Sequence, residues 1–412
     1  MRNIIKRESK KHGTVYQIRI SLGYSSDGRQ IRKSMTYIPP THLTAKQLEK
    51  ELERQAILFE EKIKNGLSID TNIKFSDYAE KFMTVKELSP ICRSRYYSLL
   101  DRINQAIGHI RLSKLKPIHL QEFYKDLKKV ISRKTGEPLS DKTILHHHRL
   151  ISSILTQATR EQIIPRNIAA REFMEAPKAK HNTPKYLDDV QAQELVRLLN
   201  DEADIRVKTA LLLLIYSGMR RGELCGLEWS DIDFKNNLLH VRRASQYISG
   251  EGLITKNPKN ESSIRAMKLP NEVFSMMNEY RIWQAHEKLK NGDRWKHILN
   301  IKMPHSFGYH IDEMKNDRIF TTDDGGLISP DTINFWLNQF IKKHDLPRIT
   351  PHSLRHTNIT LQIAAGVSIR TIAARAGHSQ VSTTTNIYSH AIQSADEAAS
   401  EALNGILALH TN

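Results

Sequence analysis

The sequence predicts a multidomain α+β protein. It consists of a small N-terminal β-sheet plus helix, a four-helix unit, and a mostly helical C-terminal unit holding a small antiparallel sheet. Three observations predict this. The chain has 412 residues, well past the roughly 250 at which a single hydrophobic core stops growing. Period-two alternation of apolar and polar residues is confined to the first forty residues and to short runs between 238 and 269, whereas helical spacing fills most of the remainder. A stretch over 176–185 carries two prolines and three lysines with no large apolar residue, as an exposed linker does.

In chain order, residues 14–22 and 31–37 alternate as strands, and Ser25-Ser26-Asp27-Gly28 between them supplies a turn. After Pro39-Pro40, a helix capped near Thr44 runs to about Asn65. The expected N-terminal domain covers 1–68, a three-stranded sheet plus this helix. Arg19 and Arg32 point away from its apolar face with Arg29 and Lys33 close by. Such a ribbon either enters a major groove or is simply a solubilising face. Residues 71–175 show helical spacing around 75–84, 92–107, 117–131 and 141–161, interrupted at Pro90, Gly108, Pro117, Gly136-Glu137-Pro138 and Pro165. His146-His147-His148 invites a metal, but consecutive helical residues diverge and cannot converge on one ion, so a solvated helix face is expected. Beyond the linker, a domain over 186–395 has helices at 187–199, 205–216, 271–290, 330–344, 352–365 and 368–376, with strand-like pieces near 238–243, 246–255 and 263–269. The stretch 291–317 has mixed character and reads as an insertion, and a last helix over about 392–408 supplies a tail, 396–412.

Composition narrows the function. The longest apolar run, Ala210 to Tyr216, is far shorter than the roughly 20 residues that span a bilayer, and the start of the chain turns polar within seven residues. No membrane span and a cytoplasmic location are expected. The two cysteines, Cys92 and Cys225, have neither metal-ligand nor redox spacing, and no metal or other cofactor is expected. The net charge of +17 is unevenly placed: residues 1–70 hold 14 basic and 8 acidic side chains, 71–180 hold 21 and 11, and 181–412 hold 27 and 26. A positive field over the first 180 residues suits a polyanion, nucleic acid ahead of anionic lipid, although a merely soluble basic surface looks the same.

Chemistry concentrates further on. Residues 350–390 contain His352-Ser-Leu-Arg355-His356, then Ala376-Gly377-His378, then a Ser/Thr run leading to Tyr388 and His390. On a helix, His352 and Arg355 share one face. Taken singly, each has a bland alternative: a cap, a surface charge, a loop residue, a half-buried aromatic. Together they resemble the C-terminal signature of the tyrosine recombinase (lambda-type integrase) family, in which His-x-x-Arg, Gly-His and a tyrosine follow in this order. That resemblance implies an earlier arginine motif, met by Ser217-Gly218-Met219-Arg220-Arg221-Gly222-Glu223-Leu224, and a lysine on a turn, met by Pro258-Lys259-Asn260-Glu261-Ser262-Ser263-Ile264-Arg265. It covers the chain from about Lys185 to Ala391. The chain departs from the family in having Ala376 where leucine is usual and Asn260 where threonine is common.

The family chemistry accounts for these residue types. A phosphodiester under attack builds charge on its non-bridging oxygens, and Arg220 and Arg355 would supply fixed bidentate donors. A phenol with a pKa near 10 needs a positive field and a proton acceptor to attack, and His352 fits that role for Tyr388. The departing 5′ oxygen needs a proton, which Lys259 would supply as the resemblance implies, with Lys256 as its competitor. His378 would contact the scissile phosphate and Glu223 would orient Arg220. Arg265 serves structure or a phosphate, and His356 and His390 have no role derivable from sequence.

The resemblance thus implies an arm-type DNA-binding domain (1–68), a helical SAM-like core-binding domain (71–175), a catalytic domain (186–395), and a tail docked on a neighbouring protomer. The partners it implies are double-stranded DNA core and arm attachment sites and a homotetramer working through a 3′-phosphotyrosine and a Holliday junction. An excisionase and a host DNA-bending protein are its optional accessories. The element served is a prophage or conjugative transposon. Candidate DNA contacts are Arg19, Arg29, Arg32, Lys33, Arg93, Arg95, Lys178 and Lys180.

Overall fold

The computed structural model describes residues 2–9, 13–24, 30–40, 43–64, 73–132, 135–179, 185–256, 264–305 and 308–389. Arg29, Lys180, Lys259, His390 and the expected tail over 396–412 lie outside the described residues. The chain divides into two units, Met1–His181 and Asn182–Asn412.

In the first unit, β1 (Arg2–Ser9), β2 (Gly13–Tyr24) and β3 (Gln30–Tyr37) form an antiparallel sheet in sequence order. Alternation sends Ile18 and Ile20 of β2 to one side, where they bury against Ala56 and Phe59 of α1 (Ala45–Lys64), with Met35 and Tyr37 packed alongside. Arg19 takes the other face opposite Ser34, and Arg32 joins it opposite Ser21. Lys33 pairs with Ile20, so the pleat assigns it to the helix-facing side, apart from Arg32.

The helical part of this unit comprises α2 (Phe75–Val85), α3 (Pro90–Ile103), α4 (Pro117–Leu127) and α5 (Asp141–Arg160). Ser89 and Ser140 cap α3 and α5 by accepting from Cys92 and Thr143 backbone N–H groups. The histidine run is not the solvated face expected from sequence. His147 and His148 are buried, because Ile144, His147, His148 and Ile151 fall at the i, i+3, i+4, i+7 spacing of the core stripe. His148 Nδ1 lies 3.0 Å from the Tyr124 hydroxyl and His147 Nδ1 lies 2.9 Å from the Thr143 carbonyl. Burial pushes both imidazoles below their ordinary pKa.

The second unit is built around α7 (Ile205–Ser217), whose run Ala210 to Ile215 is buried on all sides. It is packed by α6 (Asp189–Glu202), α9 (Asn271–Asn291), α10 (Pro330–Lys343) and α11 (Pro351–Ala364). A short α8 (Arg221–Gly226) follows it. One antiparallel sheet has the order β4 (Ile232–Asp233), β5 (Leu238–Val241), β8 (Arg265–Lys268). The strand expected over 246–255 is instead a hairpin of β6 (Ala244–Ile248) and β7 (Gly252–Lys256). Gly250 and Gly252 turn it at φ of 81° and 85°, a conformation open to glycine. The mixed stretch 291–317 contains a second hairpin, β9 (Ile298–His305) and β10 (Gly308–Lys315). After α12 (Ile369–Ala376), the Ser/Thr run is helical as α13 (Val381–Ile387). Its β-branched residues are weak helix formers, and the helix forms where it packs on α12.

Candidate active site

The site begins where α7 stops. Gly218 ends the helix at φ 63°, its N–H bonded to the Leu214 carbonyl at 2.9 Å, and a Cβ there would meet Asn358 Oδ1 at 2.4 Å. The sharp corner places Arg220 at the N-cap of α8. Its backbone N–H donates to Glu223 Oε2 at 2.8 Å and its guanidinium donates to Glu223 Oε1 at 2.9 Å. Arg265 of β8 also donates to this buried carboxylate, at 2.8 and 3.2 Å, and to the Arg375 carbonyl at 2.7 Å. Burial alone would raise the Glu223 carboxyl, but Arg265 and then Arg220 hold it below the usual carboxylate range.

Thr350 and Pro351 start α11, with Thr350 accepting from the Ser353 backbone. His352, Arg355 and His356 then follow on its first turns. Arg355 is only 2% exposed. It donates to the Gly218 carbonyl at 2.8 Å and the Ala376 carbonyl at 2.6 Å, while Arg220 reaches the Gly377 carbonyl at 3.2 Å. The two guanidinium groups are therefore hung from the α7–α8 corner and the C-terminal end of α12. Gly377 has φ 67°, and a Cβ there would stand 2.9 Å from Arg265 Nη1, so glycine is required twice over. His378 Nδ1 is held by Thr384 Oγ1 at 2.8 Å.

Tyr388 follows α13. Although a Ser/Thr run leads to it, it is 5% exposed and packs with Ile359, Ile363, Ile372 and Ala376. Its hydroxyl lies 2.5 Å from His356 Nδ1, and the His352 ring sits 4.5 Å from the His356 ring, edge-on at 74°. Thus the imidazole touching the phenol belongs to His356. Its position four residues after His352 on one helix was the available signal, and the depth of the phenol is what the sequence did not show. The Ser-x-Arg pattern likewise marked Arg265 without revealing its pairing with Glu223.

The field is strongly positive. Burial and then Arg220 lower the Arg355 guanidinium to about 10. His352 is held below its ordinary value by burial, Arg355 and Arg220. Burial, His352 and Arg355 bring His356 to about 4, and burial, Arg355 and Arg220 bring His378 to about 4. Burial lifts the Tyr388 phenol to about 12, with Arg355 pulling the other way. All the imidazoles are neutral at pH 7 beside permanent cations, an arrangement suited to one tetrahedral anion and to proton exchange with a phenol.

Arg220, Glu223, His352, Arg355, His378 and Tyr388 thus meet in one place. Arg19, Arg32, Lys33, Arg93, Arg95 and Lys178 belong to the first unit; Arg95 and Lys178 are exposed, and Lys178 pairs with Glu175 at 3.4 Å. Among the described residues no group of histidine, cysteine and acidic side chains could hold a metal.

The phage integrase family pattern matches residues 185–394, about half the chain. The chain belongs to this family. It is a site-specific tyrosine recombinase, an enzyme that cleaves and rejoins DNA. A phage integrase SAM-like domain matches residues 74–175. The recombinase is 24% identical over 407 residues to a XerC-like tyrosine recombinase of Caldanaerobacter subterraneus, covering 95% of this chain and 96% of that one. It is 24% identical over 395 residues to the ICEBs1 integrase of Bacillus subtilis, covering 95% and 97%. Its fold is similar to that of the Tn1549 transposon integrase in complex with a circular intermediate DNA, with TM-score 0.63, 22% identity, and 81% and 100% of the two chains covered. It is also similar to that of lambda integrase in a tetramer bound to a Holliday junction, with TM-score 0.52, 13% identity, and 91% and 95% covered.

Proposed function

We propose that this recombinase integrates and excises a mobile element, a prophage or conjugative transposon, using Tyr388 as nucleophile. The observation that carries the reading is the convergence of two carbonyl-anchored guanidinium groups on a corner beside a buried phenol. Arg220 and Arg355 bind the non-bridging oxygens of the scissile phosphate and stabilise the charge that builds there. Their own hydrogen bonds to backbone fix them before substrate arrives, so little reorganisation is needed in the transition state. Glu223 orients Arg220, and His352 and His378 add neutral donors to the phosphate. Lys259 protonates the departing 5′ oxygen, a role that rests on the motif around it. The 3′-phosphotyrosine conserves the energy of the broken bond, so a second 5′ hydroxyl can reverse the attack without ATP.

The remaining parts follow the same reading. Residues 1–68 bind arm sites, 71–175 bind the core site, and 396–412 dock between protomers of a tetramer formed on DNA. Arg19, Arg32, Arg93, Arg95 and Lys178 are its described DNA contacts, with an excisionase and a host DNA-bending protein as accessories. The two mobile-element relatives, the ICEBs1 and Tn1549 integrases, and the tetrameric lambda complex support it. Among the described residues no helix is long and apolar enough to cross a membrane. An enzyme working on attachment-site DNA would act at the nucleoid in the cytoplasm. Incubation with a nicked attachment-site duplex, followed by denaturing electrophoresis, should show a protein–DNA adduct that Tyr388→Phe abolishes while DNA affinity stays nearly unchanged. An adduct that persists in Tyr388→Phe would sink the assignment.

A further inference from the structure

One titratable side chain of the site takes no part in holding the phosphate. His356 follows Arg355 directly on α11, is 9% exposed, and has its Nδ1 2.5 Å from the Tyr388 hydroxyl. His352, whose residue type first suits the acceptor role, meets the His356 ring edge-on and has the larger solvent-exposed surface of the two, although its ring is partly desolvated. The hydrogen bond from the phenol therefore ends on the deeper ring. In the tautomer with its proton on Nε2, a neutral imidazole accepts at Nδ1, the atom the phenol meets.

We propose that His356 holds the Tyr388 phenol in place and takes its proton during attack on DNA. This rests on Tyr388 being the nucleophile. As the bond from the tyrosine oxygen to phosphorus forms, the phenolic proton passes to His356 Nδ1 along the existing hydrogen bond. The bond from phosphorus to the 5′ oxygen breaks, and that oxygen receives its proton from the separate acid assigned to Lys259. On rejoining, the 5′ hydroxyl gives its proton back to Lys259 as it attacks phosphorus, the bond from phosphorus to the tyrosine oxygen breaks, and His356 returns its proton to that oxygen.

The surroundings make this acceptor responsive to substrate. Before DNA binds, burial is reinforced by His352 and Arg355, and the imidazole is a weak base with a pKa of about 4. A phosphodiester seated on Arg220 and Arg355 offsets that positive field and strengthens the base when a proton must be taken. Because His356 and Arg355 are adjacent on one helix, the turn that places the phosphate clamp also places the acceptor.

Single-turnover adduct formation on a nicked attachment-site duplex, measured from pH 5 to 9, tests the proposal. Asparagine puts an oxygen near the position of Nδ1 but cannot carry the proton. His356→Asn should bind DNA like the wild type, form the adduct on the order of 100-fold more slowly, and lose the rise of rate with pH. A 5′-bridging sulfur, whose departure needs no acid, should leave this defect unrelieved while rescuing Lys259→Ala. Imidazole in solution should speed His356→Ala, and failure to do so in a variant with wild-type melting and DNA affinity counts against the proposal. Wild-type rate and pH profile in His356→Asn, with the loss falling on His352→Asn, overturns it. An adduct surviving in Tyr388→Phe would instead overturn the parent reading of the nucleophile.

Discussion

Two arginine clusters in the second unit are each centred on a buried member, Arg318 or Arg355, and they are balanced differently. Around Arg318, Arg243 pairs with Asp231 at 2.6 Å and with Glu228 at 2.8 Å, Arg242 pairs with Asp231 at 3.1 Å, and Arg318 stands 3.6 Å from Glu228. Three arginines there share two carboxylates. Around Arg355, Glu223 takes Arg220 and Arg265, while Arg355 itself donates to carbonyls and to no carboxylate among the described residues. A protein interior pairs its charges where structure is the only purpose, because an unpaired buried ion is costly to desolvate. Among the described residues the cluster around Arg355 carries the larger positive excess, which suits the anion proposed to bind there. The cluster around Arg318 tethers the end of α8 to β7, since Arg318 also reaches the Gly226 carbonyl and Thr255 Oγ1.

The comparison can be broken by exchanging the expected losses. Arg355→Gln should slow adduct formation on the order of 10²–10³-fold, with only a modest change in melting temperature, because no carboxylate loses its partner. Arg318→Met should do the reverse, lowering the unfolding free energy by about 3 kcal/mol by taking the donor from two buried acceptors, the Gly226 carbonyl and Thr255 Oγ1. Denaturant unfolding and single-turnover cleavage on both variants decide the matter, and equal stability losses would remove the distinction. A smaller effect is expected for Glu223→Gln, which keeps the shape but discharges the hub: about 2 kcal/mol of stability, with cleavage reduced through a loosened Arg220.

A change in stability with pH is expected without DNA. His356 and His378 are depressed from 6.5 to about 4 in the fold, so the unfolded chain binds more protons than the folded one between these values. Their contribution to stability is complete above about pH 6.5 and is lost as pH falls toward 4. Glu223, held below its ordinary 4.5, adds a further loss only below that pH. Urea midpoints at pH 7.5, 6 and 5 should decline in that order, and a midpoint rising toward pH 5 would contradict the environment assigned to these rings.

Local signals carried much of the fold. The helix starts at Pro90 and Pro117 and the apolar run of α7 are readable because proline chemistry and periodicity act over a few residues. The β9–β10 hairpin and α13 were less legible, since both are shaped by packing against neighbours: β9 against β7, and α13 against α12. The histidine run misled for a related reason. Residue type suggested water, but position on the α5 stripe decided burial.

Sequence alone singled out the proposed nucleophile, Tyr388, and the residues set around it, because ordered motifs with fixed spacing preserve residue identity without coordinates. Only the tertiary structure decided how those residues divide the work. The phenol is buried and bonded to His356, Glu223 joins Arg220 to Arg265 across 42 positions of chain, and Arg355 is aimed by carbonyls 137 and 21 positions away. Long-range contacts of this kind leave no periodic trace in a single sequence, since they depend on how α7, α8, α11 and α12 meet.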